Sequence, residues 1–191
     1  MLYIKFKIND SSKFEDFKNI YDHMVRVRQP NFEFEEEAVP EFDWDNLTKQ
    51  ETNDALEIID DFFDQEADLR RYKKLFPEYA NAHLESYIKN DKEIAGAYGF
   101  DISGIFNYLE FSFEVNIDNL TILNENNGLI EFSTGNYPFG GLERFFMVLK
   151  TFDLIPTECF NGFDVFEFNW MSDFEYKTII LPEKTKLYKA K

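Results

Sequence analysis

The carboxylate side chains of this chain are concentrated in residues 31–69, the part of the sequence whose residue types are best suited to act on another molecule. This segment holds 15 Asp and Glu residues against one base, Lys49, and so carries −14 of the formal net charge of −17. Four bases follow it directly: Arg70, Arg71, Lys73 and Lys74. Carboxylates at this density attract a cationic surface and speed association with it. The sequence therefore predicts either a site for a basic partner or a face kept acidic for solubility.

The candidate partner-binding acids fall into a loop group near Pro40 and a helical group that begins at Glu57. The helical group falls at i, i+4, i+7 and i+11, which predicts one face of a helix, with an apolar stripe of Leu56, Ile59, Phe63 and Ala67 beside it. A helix that only faces solvent explains the same spacing, so both interpretations stay open. The predicted acidic patch consists of Glu35, Glu36, Glu37, Glu41, Asp43, Asp45, Glu57, Asp61, Asp64 and Asp68.

The string Asp60-Asp61-Phe62-Phe63-Asp64 resembles the first aspartate-rich motif of isoprenoid synthases. The resemblance implies that Asp60, Asp61 and Asp64 hold magnesium ions against a diphosphate. It covers about 12 of 191 residues, and no second aspartate-rich motif follows. Those enzymes are all-helical, whereas the second half of this chain is predicted to be sheet. A match of five residues is weaker evidence of function than this difference in predicted fold. We therefore expect no metal site and no cofactor.

Histidine and cysteine give no catalytic signature. His23 and His83 lie 60 residues apart, and neither has Cys, His, Asp or Glu at a recognisable ligand spacing, which argues against zinc. Cys159 falls in an apolar strand without a predicted base beside it, so we expect a small core residue. With 37 acids in the chain, the sequence alone cannot single out a pair for acid–base catalysis.

The glycine-containing loop at residues 135–141 precedes a predicted helix. It lacks the Gly-Lys-Ser/Thr ending of a phosphate-binding loop, so its expected role is to form a tight entry to that helix. Tyr137 and Phe139 make it a candidate contact loop. It is also where an unrecognised active site is most plausible, at the meeting of the loop and the sheet.

The composition limits the location and the partners. A single cysteine excludes an intrachain disulfide and fits a reducing compartment, and the N-terminus alternates instead of forming the apolar region of a signal peptide. No apolar run approaches the length of a membrane helix. An acidic chain is poorly suited to bind nucleic acid, which requires bases to neutralise phosphates. We expect a cytoplasmic protein, and the Phe-, Asn-, Lys- and Ile-rich composition suggests a bacterial or phage source.

Hydrophobic periodicity predicts an α+β fold in a single domain, residues 1–191, with a largely antiparallel sheet packed with several helices. Residues 31–92 form an acidic, helical segment and a candidate insertion, and residues 105–181 are mainly antiparallel sheet with one helix. Within these, we predict a helix over 50–76 and a strand over 109–117. Asn161-Gly162 predicts a hairpin with a two-residue turn.

Three functions are compatible with this sequence. The first is a small binding or inhibitor protein, of the immunity type, that masks the basic surface of a toxin or of an enzyme acting on nucleic acid. The second is an enzyme with a site near the loop at 135–141, and the third is a structural protein that forms a homodimer. We favour the first because the acidic segment exceeds what a fold needs.

Overall fold

The computed structural model describes residues 1–35, 38–64, 67–95, 101–134 and 141–190. Within these ranges the chain forms seven α-helices and one antiparallel sheet of six strands, which confirms the predicted α+β class. The strands are β1 (Leu2–Ile8), β2 (Asn116–Asn124), β3 (Asn127–Ser133), β4 (Leu154–Phe160), β5 (Val165–Trp170) and β6 (Tyr176–Ile180). The helices are α1 (Ser11–Val27), α2 (Lys49–Asp64), α3 (Ala67–Leu75), α4 (Glu78–Ala95), α5 (Ile102–Asn107), α6 (Glu143–Thr151) and α7 (Pro182–Lys189).

The N-terminal strand lies in the middle of the sheet, whose strand order is β2-β3-β1-β4-β5-β6. The succession β1-α1-β2-β3-α6-β4 with this order is the split β-α-β arrangement. Helices α2 to α5 are inserted between α1 and β2, and strands β5 and β6 extend the sheet beyond β4. The acidic segment is thus carried by the connection between α1 and β2.

Alternation along β1 explains why this strand can be central. Ile4 and Phe6 are completely buried on one face, while Tyr3 and Lys5 lie on the other. Helices α1 and α6 cover the apolar face, where the rings of Phe17 and Phe145 lie 6.3 Å apart. None of the helices within the described ranges combines the length and the apolar character needed to cross a membrane.

Ser12–Glu15 and Thr48–Glu51 both match the capping-box pattern, a Ser or Thr followed three residues later by Glu, which predicts a helix start at each. Asp10, not a Ser12–Glu15 pair, caps α1, because its carboxylate accepts hydrogen bonds from Ser12 N–H at 2.9 Å and Ser12 Oγ at 2.7 Å. At α2 the predicted capping box is present: Thr48 N–H donates to the Glu51 carboxylate at 2.8 Å, and Glu51 N–H donates to Thr48 Oγ1 at 3.3 Å. These bonds fix where the acidic helix begins.

The strand predicted over 109–117 is wrong for residues 109–115, and only its last two residues belong to β2. The chain continues from α5 into a π-helical turn, Tyr108–Ser112, and β2 begins only at Asn116. The predicted pattern buries Phe111 and exposes Glu110, but Glu110 is 2% exposed and Phe111 is 52% exposed. Side chains that are distant in the sequence stabilise the buried carboxylate and thereby override the local alternation.

Two further expectations can be compared with the structure. The helix predicted over 50–76 is helical at Lys49–Asp64 (α2) and at Ala67–Leu75 (α3), and residues 65–66 lie outside the described ranges. The hairpin between β4 and β5 is present, but residues 161–164 connect the strands instead of a two-residue turn. The Asn161 side chain accepts from the N–H groups of Phe163 and Asp164, both at 2.9 Å, and Gly162 takes the positive φ of +98°. Side-chain capping by Asn161 therefore replaces the type I′ geometry.

Candidate partner-binding site

Helix α2 packs against the rest of the protein through a narrow stripe. Of its 16 residues only Ala55 is buried, and Ile59 and Phe62 are half-buried. At 100° per residue these three positions lie on one side of the helix. Arg70, from α3, donates to the Phe62 carbonyl at 2.8 Å and lies 4.3 Å from the centre of the Phe62 ring. These contacts attach the C-terminal end of α2 to α3.

Large apolar side chains of α2 face solvent. Leu56 is 47% exposed, Ile58 50% and Phe63 67%. Leu56 and Phe63 belong to the apolar stripe inferred from the sequence, and they lie beside the buried side of the helix instead of within it. A single exposed apolar residue is ordinary, but two of them separated by two helical turns on an otherwise charged helix form a defined surface.

The acids of α2 lie around the remainder of the helix. Glu57, Asp61 and Asp64, which belong to the predicted acidic stripe, are all exposed. Asp60, which lies between Leu56 and Phe63 along the chain, is exposed as well. Asp68 is different, because it belongs to α3 and is half-buried. Its carboxylate accepts from Ser103 Oγ at 2.6 Å and from Leu69 N–H at 2.8 Å. We therefore name the α2 face by Leu56, Glu57, Asp60, Phe63 and Asp64, without Asp68.

The loop acids precede this helix. Glu35, Glu41, Asp43 and Asp45 are exposed, whereas Glu36 and Glu37 lie outside the described residues. The start of the loop is anchored: the Arg71 guanidinium lies 3.8 Å from the centre of the Phe34 ring, and Phe32 packs edge-on against Phe34 at 4.9 Å between ring centres. A cation over an aromatic face is stabilising. The acidic loop therefore leaves from a fixed point on α1 and α3.

A buried charged cluster that the sequence does not reveal lies beneath this anchor. Glu110, in the π-helical turn, accepts from His23 Nε2 at 2.8 Å and from Arg71 Nε and Nη2 at 2.9 and 2.8 Å. Burial alone would raise the pKa of Glu110, but the hydrogen bonds from Arg71 and His23 outweigh it and lower that pKa. The three residues come from α1, α3 and the turn after α5, so no local motif could have indicated them.

The carboxylate at the centre of this cluster is closed to solvent. Both Glu110 oxygens are occupied, and the carboxylate side chain is 1% exposed. Nearby, the Arg28 guanidinium donates to four backbone carbonyls, those of Met24, Leu109, Phe113 and Val115. A pocket of about 450 Å³ opens beside Arg28, Ser133 and Thr134, and its lining includes the carboxylates Glu110 and Glu114.

Two other charged side chains are similarly held. Glu158, on the outer face of the sheet, accepts from Tyr3 Oη at 2.9 Å, Lys5 Nζ at 2.6 Å and Lys184 Nζ at 2.5 Å. Lys150, in α6, is buried with its Nζ 4.2 Å from the centre of a Trp170 ring, and it donates to the Asp173 carbonyl at 2.7 Å. Burial lowers the pKa of Lys150. These contacts tie α7 to the sheet and the β5–β6 turn to α6.

The other residues considered from the sequence are Cys159, His83, Tyr137 and Phe139. Cys159 is buried in the core, as predicted, and burial raises the pKa of its thiol. His83 is partly buried in α4, with Nδ1 3.1 Å from Thr151 Oγ1. Tyr137 and Phe139 lie outside the described residues, as does most of their loop. Among the residues that the structure does describe, no group of three or more His, Cys, Asp or Glu side chains could hold a metal ion.

Comparisons with known proteins identify no relative. Neither the protein-family models, nor the curated proteins, nor the solved structures contain a significant match to this chain. The α2 face is therefore interpreted from its own geometry and charge.

Proposed function

We propose that this protein is a small cytoplasmic binding protein that covers a basic surface of another protein. The observation that carries this proposal is the composition of α2, which exposes carboxylates and large apolar side chains on the same face. Protein–protein interfaces combine an apolar centre with a polar rim in this way. Long-range attraction steers the partner to the face, and burial of Leu56 and Phe63 then slows its release.

The partner class follows from the sign of the charge. A protein that acts on nucleic acid must present a cationic groove to the phosphates, and a row of carboxylates can occupy that groove in their place. An immunity-type inhibitor of a bacterial toxin, or an antagonist of a nucleic-acid enzyme, must cover a cationic groove of this kind. The saturated hydrogen bonding of Glu110 and Glu158 supports a binding role over catalysis.

The test is capture of partners with three forms of the protein as bait. One is wild type, one carries Glu57→Lys, Asp60→Lys and Asp64→Lys, and one carries Glu15→Lys, Glu125→Lys and Glu175→Lys. The last set is a matched control, because its three acids are also exposed but lie outside α2 and the change in net charge is the same. We expect a basic protein to be retained by wild type and control and lost by the α2 variant. Equal capture by all three baits would contradict the proposal.

A further inference from the structure

We propose that the occupant of the α2 face is a basic amphipathic α-helix of the partner, an inference that rests on the proposed function. The spacing of the apolar side chains supports a helix. Leu56, Ile59 and Phe63 follow one another at intervals of three and four residues, and Thr52 occupies the same line one turn earlier. This is the apolar seam of a heptad repeat, which packs against a second helix.

The seam is open on one side only. Ala55 and Phe62 border it where α2 meets the protein, and Leu56 and Phe63 project from the exposed side, about 10 Å apart along the axis. The resulting surface is half of a helix pair. A second helix laid along it would cover both exposed side chains at once, in the manner of an amphipathic helix bound in a groove.

The charges beside the seam determine the chemistry of the occupant. Glu57, Asp60 and Asp64 border the exposed side, and all three are exposed. In paired helices, the residues that flank the seam form salt bridges with the second helix, so their charge determines which helix binds. The incoming helix therefore carries Leu-like residues at heptad spacing with Lys or Arg beside them. A second copy of α2 has the same acids at the same positions and is excluded by repulsion between like charges.

The probe is a fluorescein-labelled peptide of about 18 residues, five helical turns, with Leu at the heptad seam and Lys elsewhere. A scrambled peptide of identical composition lacks the apolar stripe and measures attraction by charge alone. Fluorescence anisotropy gives the Kd of each peptide with the wild-type protein. We expect the helical peptide to bind at least about tenfold more tightly than the scrambled one, about 1.4 kcal/mol of preference for the stripe.

The variants locate the binding site. Leu56→Ser with Phe63→Ser should weaken the helical peptide at least about tenfold, whereas Ile58→Ser, an equally exposed apolar residue on the other flank of α2, should leave its Kd unchanged. Circular dichroism verifies that each variant is folded. Equal affinity for both peptides would overturn the helix inference while leaving the proposed acidic face intact. Tight binding of the helical peptide that is insensitive to the Leu56 and Phe63 changes would also overturn it.

The alternative occupant of the α2 face is helix α7 of a second copy of this chain. Helix α7 is basic, with Lys184, Lys186 and Lys189, and its Leu187 is exposed, so α7 of a second copy is a cationic helix with an apolar residue. Sedimentation of the wild-type protein across a wide concentration range separates this case. A monomer at all concentrations supports an external partner helix. A dimer that Leu56→Ser with Phe63→Ser dissociates would contradict it.

Discussion

Glu110 and His23 are hydrogen-bonded at 2.8 Å in the protein interior, although 87 residues separate them in the chain. The bond joins α1 to the π-helical turn, and Arg71 adds α3 to the same carboxylate. One buried negative charge thereby positions the three segments from which the acidic loop and α2 extend. The stability of this cluster is therefore a condition for presenting the α2 face.

Glu110→Gln should destabilise the protein strongly. The change removes the charge that compensates Arg71 and weakens the bond to His23, and breaking a buried ion pair typically costs about 3–5 kcal/mol. Urea unfolding measures the loss in free energy of unfolding. Glu114→Gln is the matched control, because Glu114 is exposed and should change stability by less than about 0.5 kcal/mol. Equal stability of the two variants would contradict the role of Glu110.

The protein should lose a defined part of its stability in acid through Glu158. Burial would raise the pKa of Glu158, but hydrogen bonds from Lys184, Lys5 and Tyr3 lower it to about 2 from the ordinary 4.5. A lowered carboxyl pKa gives stability that is complete above the ordinary value and disappears as the pH falls through the folded value.

We therefore expect Glu158→Gln to lower the free energy of unfolding by about 2 kcal/mol at neutral pH. Solvent screens part of the interaction because the two lysines are exposed. The difference from wild type should shrink below pH 4.5 and vanish near pH 2. Urea unfolding of both proteins across this range measures it. A difference that is constant with pH, or that grows in acid, would show that the Glu158 charge is not the cause.

Arg28→Lys should destabilise the π-helical turn although the charge is kept. The planar guanidinium reaches carbonyls in both α1 and the segment 109–115, and a single ammonium group cannot span them. We expect a loss of about 2 kcal/mol, from two or more bonds to a charged donor. Thermal unfolding followed by circular dichroism checks this. A melting temperature equal to that of wild type would mean that the four bonds contribute nothing.

Replacing the exposed apolar residues of α2 should leave stability intact. Leu56→Ser and Phe63→Ser remove side chains that face solvent, so each should change the free energy of unfolding by less than about 0.5 kcal/mol. Phe17→Ala, in the completely buried core, should cost about 3–5 kcal/mol. If the α2 variants lost as much as Phe17→Ala, these side chains would be core residues and not a binding surface.

The elements with a simple period could be predicted from the sequence. Alternation in residues 2–8 predicts a half-buried strand, and the apolar stripe of Phe14, Phe17, Ile20 and Met24 predicts α1. Both patterns reflect burial of one face against a single core. The Thr48–Glu51 capping box also works from local sequence, since both partners lie within one helical turn.

The predictions that failed concern side chains whose burial depends on residues distant in the sequence. Glu110 is buried because His23 and Arg71 supply its hydrogen bonds, and no pattern near residue 110 indicates them. On α2, the predicted stripe containing Leu56, Ile59 and Phe63 lies to one side of the residues that pack, which are Ala55, Ile59 and Phe62. Which portion meets the core depends on how α2 lies against its neighbours. The sequence could therefore predict an amphipathic acidic helix, but not that two of its largest apolar side chains remain exposed.

The most direct test of the central claim is the salt dependence of the complex with the captured basic partner. Calorimetry at about 50 and about 300 mM salt gives the Kd for wild type and for the variant with Glu57, Asp60 and Asp64 changed to Lys. We predict that wild type loses at least about tenfold in affinity at the higher salt and that the variant binds at least about tenfold more weakly at the lower salt. An affinity that is the same for both proteins and at both salt concentrations would contradict an acidic α2 face as the binding site.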